Sequence, residues 1–206
     1  MGIVFTAEFW TWSRVLEVMG LIIGLLYLWW EYHADWRMWI ASMVMPAISM
    51  WIYFSRGIYA DFAINIYYLV IAVYGFIVWR CGAVSGKKKK ERRPLPVTHT
   101  PLWAWGVAVA STALLWGLLY WLLGTCTDST VPCIDAFTTA ASIVAMWLMA
   151  RKWAQQWLVW FVVDIISSGL YFYKGIPFYG VLYCIYTVIA VFGYIKWLKM
   201  IPETNH

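Results

Sequence analysis

The sequence predicts an all-α membrane protein of seven transmembrane helices, and three observations carry that expectation: composition, the spacing of apolar segments and an internal repeat. Of the 206 residues, 64% are hydrophobic and 12% are charged, about half the charge of an average soluble domain. Seventeen Trp and fourteen Tyr supply amphipathic rings of the kind that collect where a bilayer meets water. One soluble core cannot bury this much apolar surface, so lipid must solvate much of it. At roughly 20 apolar residues per crossing, the chain holds about seven spans.

The segments follow in order. Residues 3–12 (IVFTAEFWTW) read as a short interfacial stretch, too short to span. Met1 to Ser13 lacks the basic start and the small-residue cleavage site of a signal peptide. Apolar runs then occupy 14–31 and 35–54, parted by the polar stretch Glu31 to Arg37. The second contains Pro46, which frees a backbone carbonyl and bends its helix. Ser55–Arg56–Gly57 breaks the chain before a third run at 58–80. A basic stretch, Lys87 to Lys90 with Arg92 and Arg93, ends in Pro94 and Pro96 and leads to a fourth run at 102–124. After the loop Thr125 to Cys133 come runs at 134–150, 153–173 and 176–198, separated by Arg151–Lys152 and Lys174–Gly175.

Orientation follows from Lys and Arg. Placing the basic linker inside puts twelve basic residues on the inner side and three (Arg14, Arg56, Lys174) on the outer side. This asymmetry obeys the positive-inside tendency, with the N-terminus outside and the C-terminus in the cytoplasm. The net charge of +5 is therefore read as a topology determinant beside a membrane, and no nucleic-acid partner is expected.

Shifting the chain by 118 residues lays ISMWIYFSRG (48–57) on ISSGLYFYKG (166–175) and IAVYGFIVW (71–79) on IAVFGYIKW (189–197). Without a gap, 14 of the 35 positions from Met45 to Trp79 match. The register sets the first three helices on the last three. A three-helix unit crosses an odd number of times, so repeating it in the same orientation needs one extra crossing, which the fourth helix supplies. The expected organisation is a first repeat at 14–80, a linker with the fourth helix and outer loop at 81–133, and a second repeat at 134–198. Parallel repeats of this kind are a transporter architecture, with the substrate site near the midplane.

Asp164 is the most informative residue. It lies halfway along the sixth helix, where an unpaired carboxylate costs at least a few kcal/mol. Trp157, Trp160, Asp164, Ser167 and Tyr171 follow helical spacing and make one stripe. Two indoles beside an acid suit a flat, cationic aromatic ring: the ring faces stack and attract the charge, and the carboxylate offsets it. The competing reading is tryptophans packing on neighbouring helices, with Asp164 bonded to a Ser or Tyr. On the third helix Asp61, Asn65 and Tyr68 form a second stripe, which the 118-residue shift carries onto Tyr179, Tyr183 and Tyr186. Asn65 both donates and accepts, which suits sugar hydroxyls or an amide. Asp61, near the outer end of its helix, is read as a partner of Arg56. Cys126 and Cys133 flank the outer loop either as a disulfide or as two free thiols. His33, His99 and His206 show no metal-ligand spacing, and no GxxxxGK[ST] loop is present. No catalytic residue, metal or cofactor is expected.

SIVAMWLMARKWAQQWLVWFVVDIISSGLYFYKG (142–175) and YADFAINIYYLVIAVYGFIVW (59–79) resemble the PnuC family of bacterial vitamin transporters, over roughly 15–199. The WxxW pair after an RK dipeptide is the most specific part. The resemblance implies uptake of nicotinamide riboside by facilitated diffusion, with a cytoplasmic kinase trapping the substrate by phosphorylation. It also implies a SWEET-like three-plus-one-plus-three fold, a homotrimer and a bacterial inner-membrane location, and makes Trp157 and Trp160 the stacking tryptophans. Asp164 stands where the family pattern has Asn, and Asn65 where related sequences often have Gln. The predicted site is Trp157, Trp160, Asp164, Asn65, Tyr68, Tyr183, Tyr186 and Ser167. Thiamine, another flat aromatic cation carried by relatives of this architecture, is the alternative substrate. A seven-helix receptor and a membrane enzyme are the rival classes. A retinal protein needs a Lys buried in its last helix, whereas Lys196 and Lys199 sit at the inner end.

Overall fold

The computed structural model describes residues 23–55, 59–82, 95–126, 131–175 and 177–202. Residues 3–12, Arg56, the basic run Lys87–Arg93 and loop residues 127–130 lie outside these, as does the side chain of Asp61. Every regular element longer than an isolated bridge in the described chain is a helix. Residues 23–32 belong to α1, followed by α2 (Met38–Ser55), α3 (Tyr59–Cys81), α4 (Leu102–Cys126), α5 (Pro132–Ala150), α6 (Gln156–Tyr173) and α7 (Pro177–Lys199). Leu102–Cys126, Pro132–Ala150 and Tyr179–Lys199 are long and apolar enough to cross a bilayer by length and composition. The chain divides into two compact units, Met1–Phe76 and Ile77–His206.

In the first unit, α1 ends in a tight turn whose pivot is Ala34, at φ 52°. The Ala34 N–H donates to Glu31 O (2.9 Å) and the Asp35 N–H to Trp30 O (2.9 Å), the paired bonds of a Schellman ending that satisfy otherwise orphaned helix carbonyls. Arg37 closes the turn with an ion pair to Asp35 at 3.0 Å. Helix α2 then starts, and Trp36 meets Phe76 of α3 edge-on at 5.6 Å. Pro46, inside α2, is buried.

The second unit uses the same turn. Lys152 sits at φ 61°, its N–H donating to Met149 O (2.8 Å) and that of Trp153 to Leu148 O (3.2 Å). Each of these residues lies 118 positions after its counterpart in the α1–α2 turn. The next helix also opens alike, with Met38 N–H on Asp35 O (3.3 Å) and Gln156 N–H on Trp153 O (3.2 Å). Neither pivot is glycine, although a left-handed residue with a Cβ costs about 1–2 kcal/mol. Ala34→Gly is therefore expected to raise stability by about 1 kcal/mol, read as a higher thermal midpoint in detergent; an unchanged or lower midpoint would show that Ala34 carries no such strain.

Around its turn the second unit adds bracing. Residues 95–101, which the sequence marks only as a proline-broken linker, lie along the α5–α6 turn. Thr98 pairs with Trp153 in a parallel bridge: Thr98 N–H donates to Lys152 O (3.2 Å) and Ala154 N–H to Thr98 O (3.0 Å). Gln155 Oε1 accepts from both the N–H and the hydroxyl of Thr100, at 2.7 and 3.0 Å. Its Nε2 lies 2.8 Å from Nδ1 of His99. The last turn of α3 reaches the same place. Trp79 donates its indole N–H to Ala150 O (3.1 Å), and the Lys152 ammonium lies 4.5 Å from the centre of the Trp79 ring.

Helix α4 packs on α5 through small residues: Ala104 and Ala108, one turn apart, meet Val144, Leu148 and Trp153. Helix α5 begins with Pro132, whose missing N–H is no loss in a first turn. Asp135, in that turn, pairs with Lys174 beyond α6 at 2.9 Å. Helix α6 lies against α7, where Ser168 donates to Gly180 O at 2.8 Å. Cys126 and Cys133 are exposed free thiols.

Candidate substrate-binding site

Helix α6 turns one face inward, and the buried residues along it include Trp157, Asp164 and Ser167. The face is mixed because polar residues alternate with aromatics at one-turn spacing. Asp164 is only 5% exposed, and among the described residues no hydrogen bond or ion pair reaches its carboxylate. A buried carboxylate without a partner is costly in an apolar setting, and such groups mark functional positions in membrane proteins.

The indoles differ from each other. Trp157 is 3% exposed and meets Trp197 edge-on at 5.8 Å, 87° between planes. Trp160, one turn on, is half-buried. Among the described residues the indole N–H of each is buried without an acceptor. Buried donors normally find partners, so this stretch of α6 holds two free donors and a free carboxylate within two turns.

Tyrosines continue the site along α6 and α7. Tyr171 stacks on Tyr183 at 5.2 Å and 14°, and on Tyr179 at 5.3 Å and 26°. Tyr186 meets Tyr183 edge-on at 5.7 Å. Ser167 is buried one turn beyond Asp164. Six of the eight predicted residues, Trp157, Trp160, Asp164, Ser167, Tyr183 and Tyr186, lie on α6 and α7 of the second unit. Asn65 and Tyr68 belong to the first unit, where both are half-buried on α3 and Tyr68 lies 5.7 Å from Tyr67.

Sequence reasoning missed Trp197, Trp79, Gly193 and the fully buried Gln156. The repeat register already held a signal for three of them, since Trp79 and Trp197 are 118 residues apart and Gly193 lies 118 residues after Gly75.

Described helices long and apolar enough to cross a bilayer, together with the family the chain matches, place it in a family of membrane transporters. The chain belongs to the nicotinamide mononucleotide transporter family, which it matches over residues 14–199, as the resemblance to PnuC led us to expect. It is 25% identical over 173 residues to the nicotinamide riboside transporter PnuC of Neisseria mucosa, covering 79% of this chain and 64% of that one. With the Escherichia coli protein of that name it shares 23% over 208 residues, 91% of this chain and 87% of the relative. A riboflavin/roseoflavin transporter, RibM of Streptomyces davaonensis, is 29% identical over 132 residues, 63% and 59% of the two chains. The fold is similar to a crystal structure of the vitamin B3 transporter PnuC, with a TM-score of 0.63 at 22% identity, over 88% of this chain and 80% of that one. The matches thus span 64% and 59% of the Neisseria and Streptomyces relatives.

Proposed function

We propose that this chain carries nicotinamide riboside across the bacterial inner membrane by facilitated diffusion. The observation behind this reading is the carboxylate of Asp164, buried on the α6 face in line with Trp157 and Trp160 and without a hydrogen-bond or ion-pair partner among the described residues. A pyridinium ring supplies what that face lacks: a positive charge for the acid and a flat π-surface for an indole. The ribose hydroxyls suit Ser167, Tyr183 and Tyr186 of the second unit. The names of the Neisseria and Escherichia relatives support the same substrate.

The reading includes a three-plus-one-plus-three arrangement of parallel repeats, similar to SWEET transporters, with the N-terminus outside. Matching turns at Ala34 and Lys152 support the duplication. Rocking of the repeats about the ligand gives alternating access. Phosphorylation by a cytoplasmic kinase makes uptake one-way, and the unit in the membrane is a homotrimer. Exposed apolar residues on α4, among them Val109, Leu114 and Trp121, offer surface to lipid or to neighbouring copies.

Purified protein in proteoliposomes is expected to take up labelled nicotinamide riboside, with excess unlabelled compound abolishing the signal and thiamine competing less well. Riboflavin has no positive ring, and RibM makes it the instructive comparison. Uptake that riboflavin blocks and nicotinamide riboside does not would overturn the assignment. Preferential block by thiamine would move the substrate to the other cationic vitamin.

A further inference from the structure

The two units share a second feature at the 118-residue offset, and it separates the roles of the two indoles in the WxxW pair. In the first unit the Trp39 ring of α2 lies flat on Gly75 of α3, where an added Cβ would overlap the ring carbons. In the second unit the Trp157 ring of α6 lies on Gly193 of α7, where a Cβ would come within 2.7 Å. Trp39 and Trp157 are 118 residues apart, and so are Gly75 and Gly193. Both indoles are buried, at 0% and 3% exposure. The Trp157 ring has backbone against it at Gly193 and the Trp197 indole edge-on, so its surface is committed to packing. Trp160 is different. Its counterpart in the first unit is Ser42, and it is half-buried where Trp157 is buried; the indole N–H lacks an acceptor among the described residues in both.

We propose that Trp157 is a positioning residue: it and Trp39 are matching knobs, each seated in a glycine notch that sets the distance between two helices of its unit. Trp160 is then left as the indole that meets the substrate. A glycine that admits a flat indole brings two helix axes close, as small residues do in membrane helix packing, and in the second unit this fixes α6, with Asp164 and Trp160, against the α7 tyrosines. The division of labour rests on the transport reading for Trp160; the knobs stand on packing alone.

The test compares single variants of the full chain in detergent by two readouts. Ligand-free thermal unfolding is expected to fall by several degrees for both Trp39→Ala and Trp157→Ala, and little for Trp160→Ala. Quenching of tryptophan fluorescence by saturating nicotinamide riboside is expected to keep most of its amplitude in Trp157→Phe and to lose most of it in Trp160→Phe. Equal loss of amplitude in the two Phe variants, or a Trp157→Ala midpoint matching wild type, overturns the proposal. A wild-type protein that nicotinamide riboside does not quench sinks the substrate assignment, and the thermal arm then decides the knobs by itself.

Discussion

Asp164→Asn is expected to weaken nicotinamide riboside at least tenfold, about 1.4 kcal/mol, while the fold survives. The substitution keeps the size of the side chain and removes its charge. At a site only 5% exposed, little water screens the attraction between a carboxylate and a pyridinium, so the charge counts for more than on a surface. The same nucleoside with its ring reduced has no positive charge and serves as the control: its affinity should move by less than about twofold. The variant itself is expected to unfold at the same or a higher temperature, because it no longer buries an unpaired anion. Half-saturation of uptake measured for both ring forms decides the matter. Equal losses for the charged and the neutral ring would mean that Asp164 acts through shape or hydrogen bonding.

Trp79→Ala is expected to have the largest effect on stability, about 3–5 kcal/mol, or roughly 10 °C in thermal midpoint for a chain of this size. The indole is 2% exposed, so truncation leaves a cavity. It also removes the hydrogen bond to Ala150 O and the ring beneath the Lys152 ammonium, while Trp197 loses its neighbour at 5.9 Å. Trp79→Phe keeps a ring and lacks the N–H, and should lose about a third as much. A drop of less than about 1 kcal/mol for the alanine variant would show that the α3 end is held mainly by its backbone.

Much of the helical layout was legible because lipid imposes a simple rule: long apolar runs broken by polar turns. The runs at 102–124 and 134–150 found α4 and α5 to within about two residues at most ends. The 118-residue register was equally readable, since duplicated helices keep their identities where they pack. What the sequence hid is the meaning of individual aromatics. With seventeen tryptophans, composition cannot say which one lies on a glycine, and Trp79 near a helix end reads like any interfacial ring. The stretch 95–101 was also opaque: Pro96 and Pro101 signal irregular chain, and only the geometry of Thr98 and Gln155 turns that chain into a brace. On α6 the stripe through Asp164 was visible from spacing, because a polar residue amid apolar ones declares its own face. The unequal burial of Trp157 and Trp160 was not, since it depends on Gly193 in another helix.

The shared turn at Ala34 and Lys152 has a practical meaning. One main-chain scaffold is spelled twice in a single polypeptide, by WEYHADWRMW at 30–39 and by LMARKWAQQW at 148–157. Comparing the two spellings separates what the bend itself demands from what each location adds, so the molecule carries an internal control for anyone redesigning it.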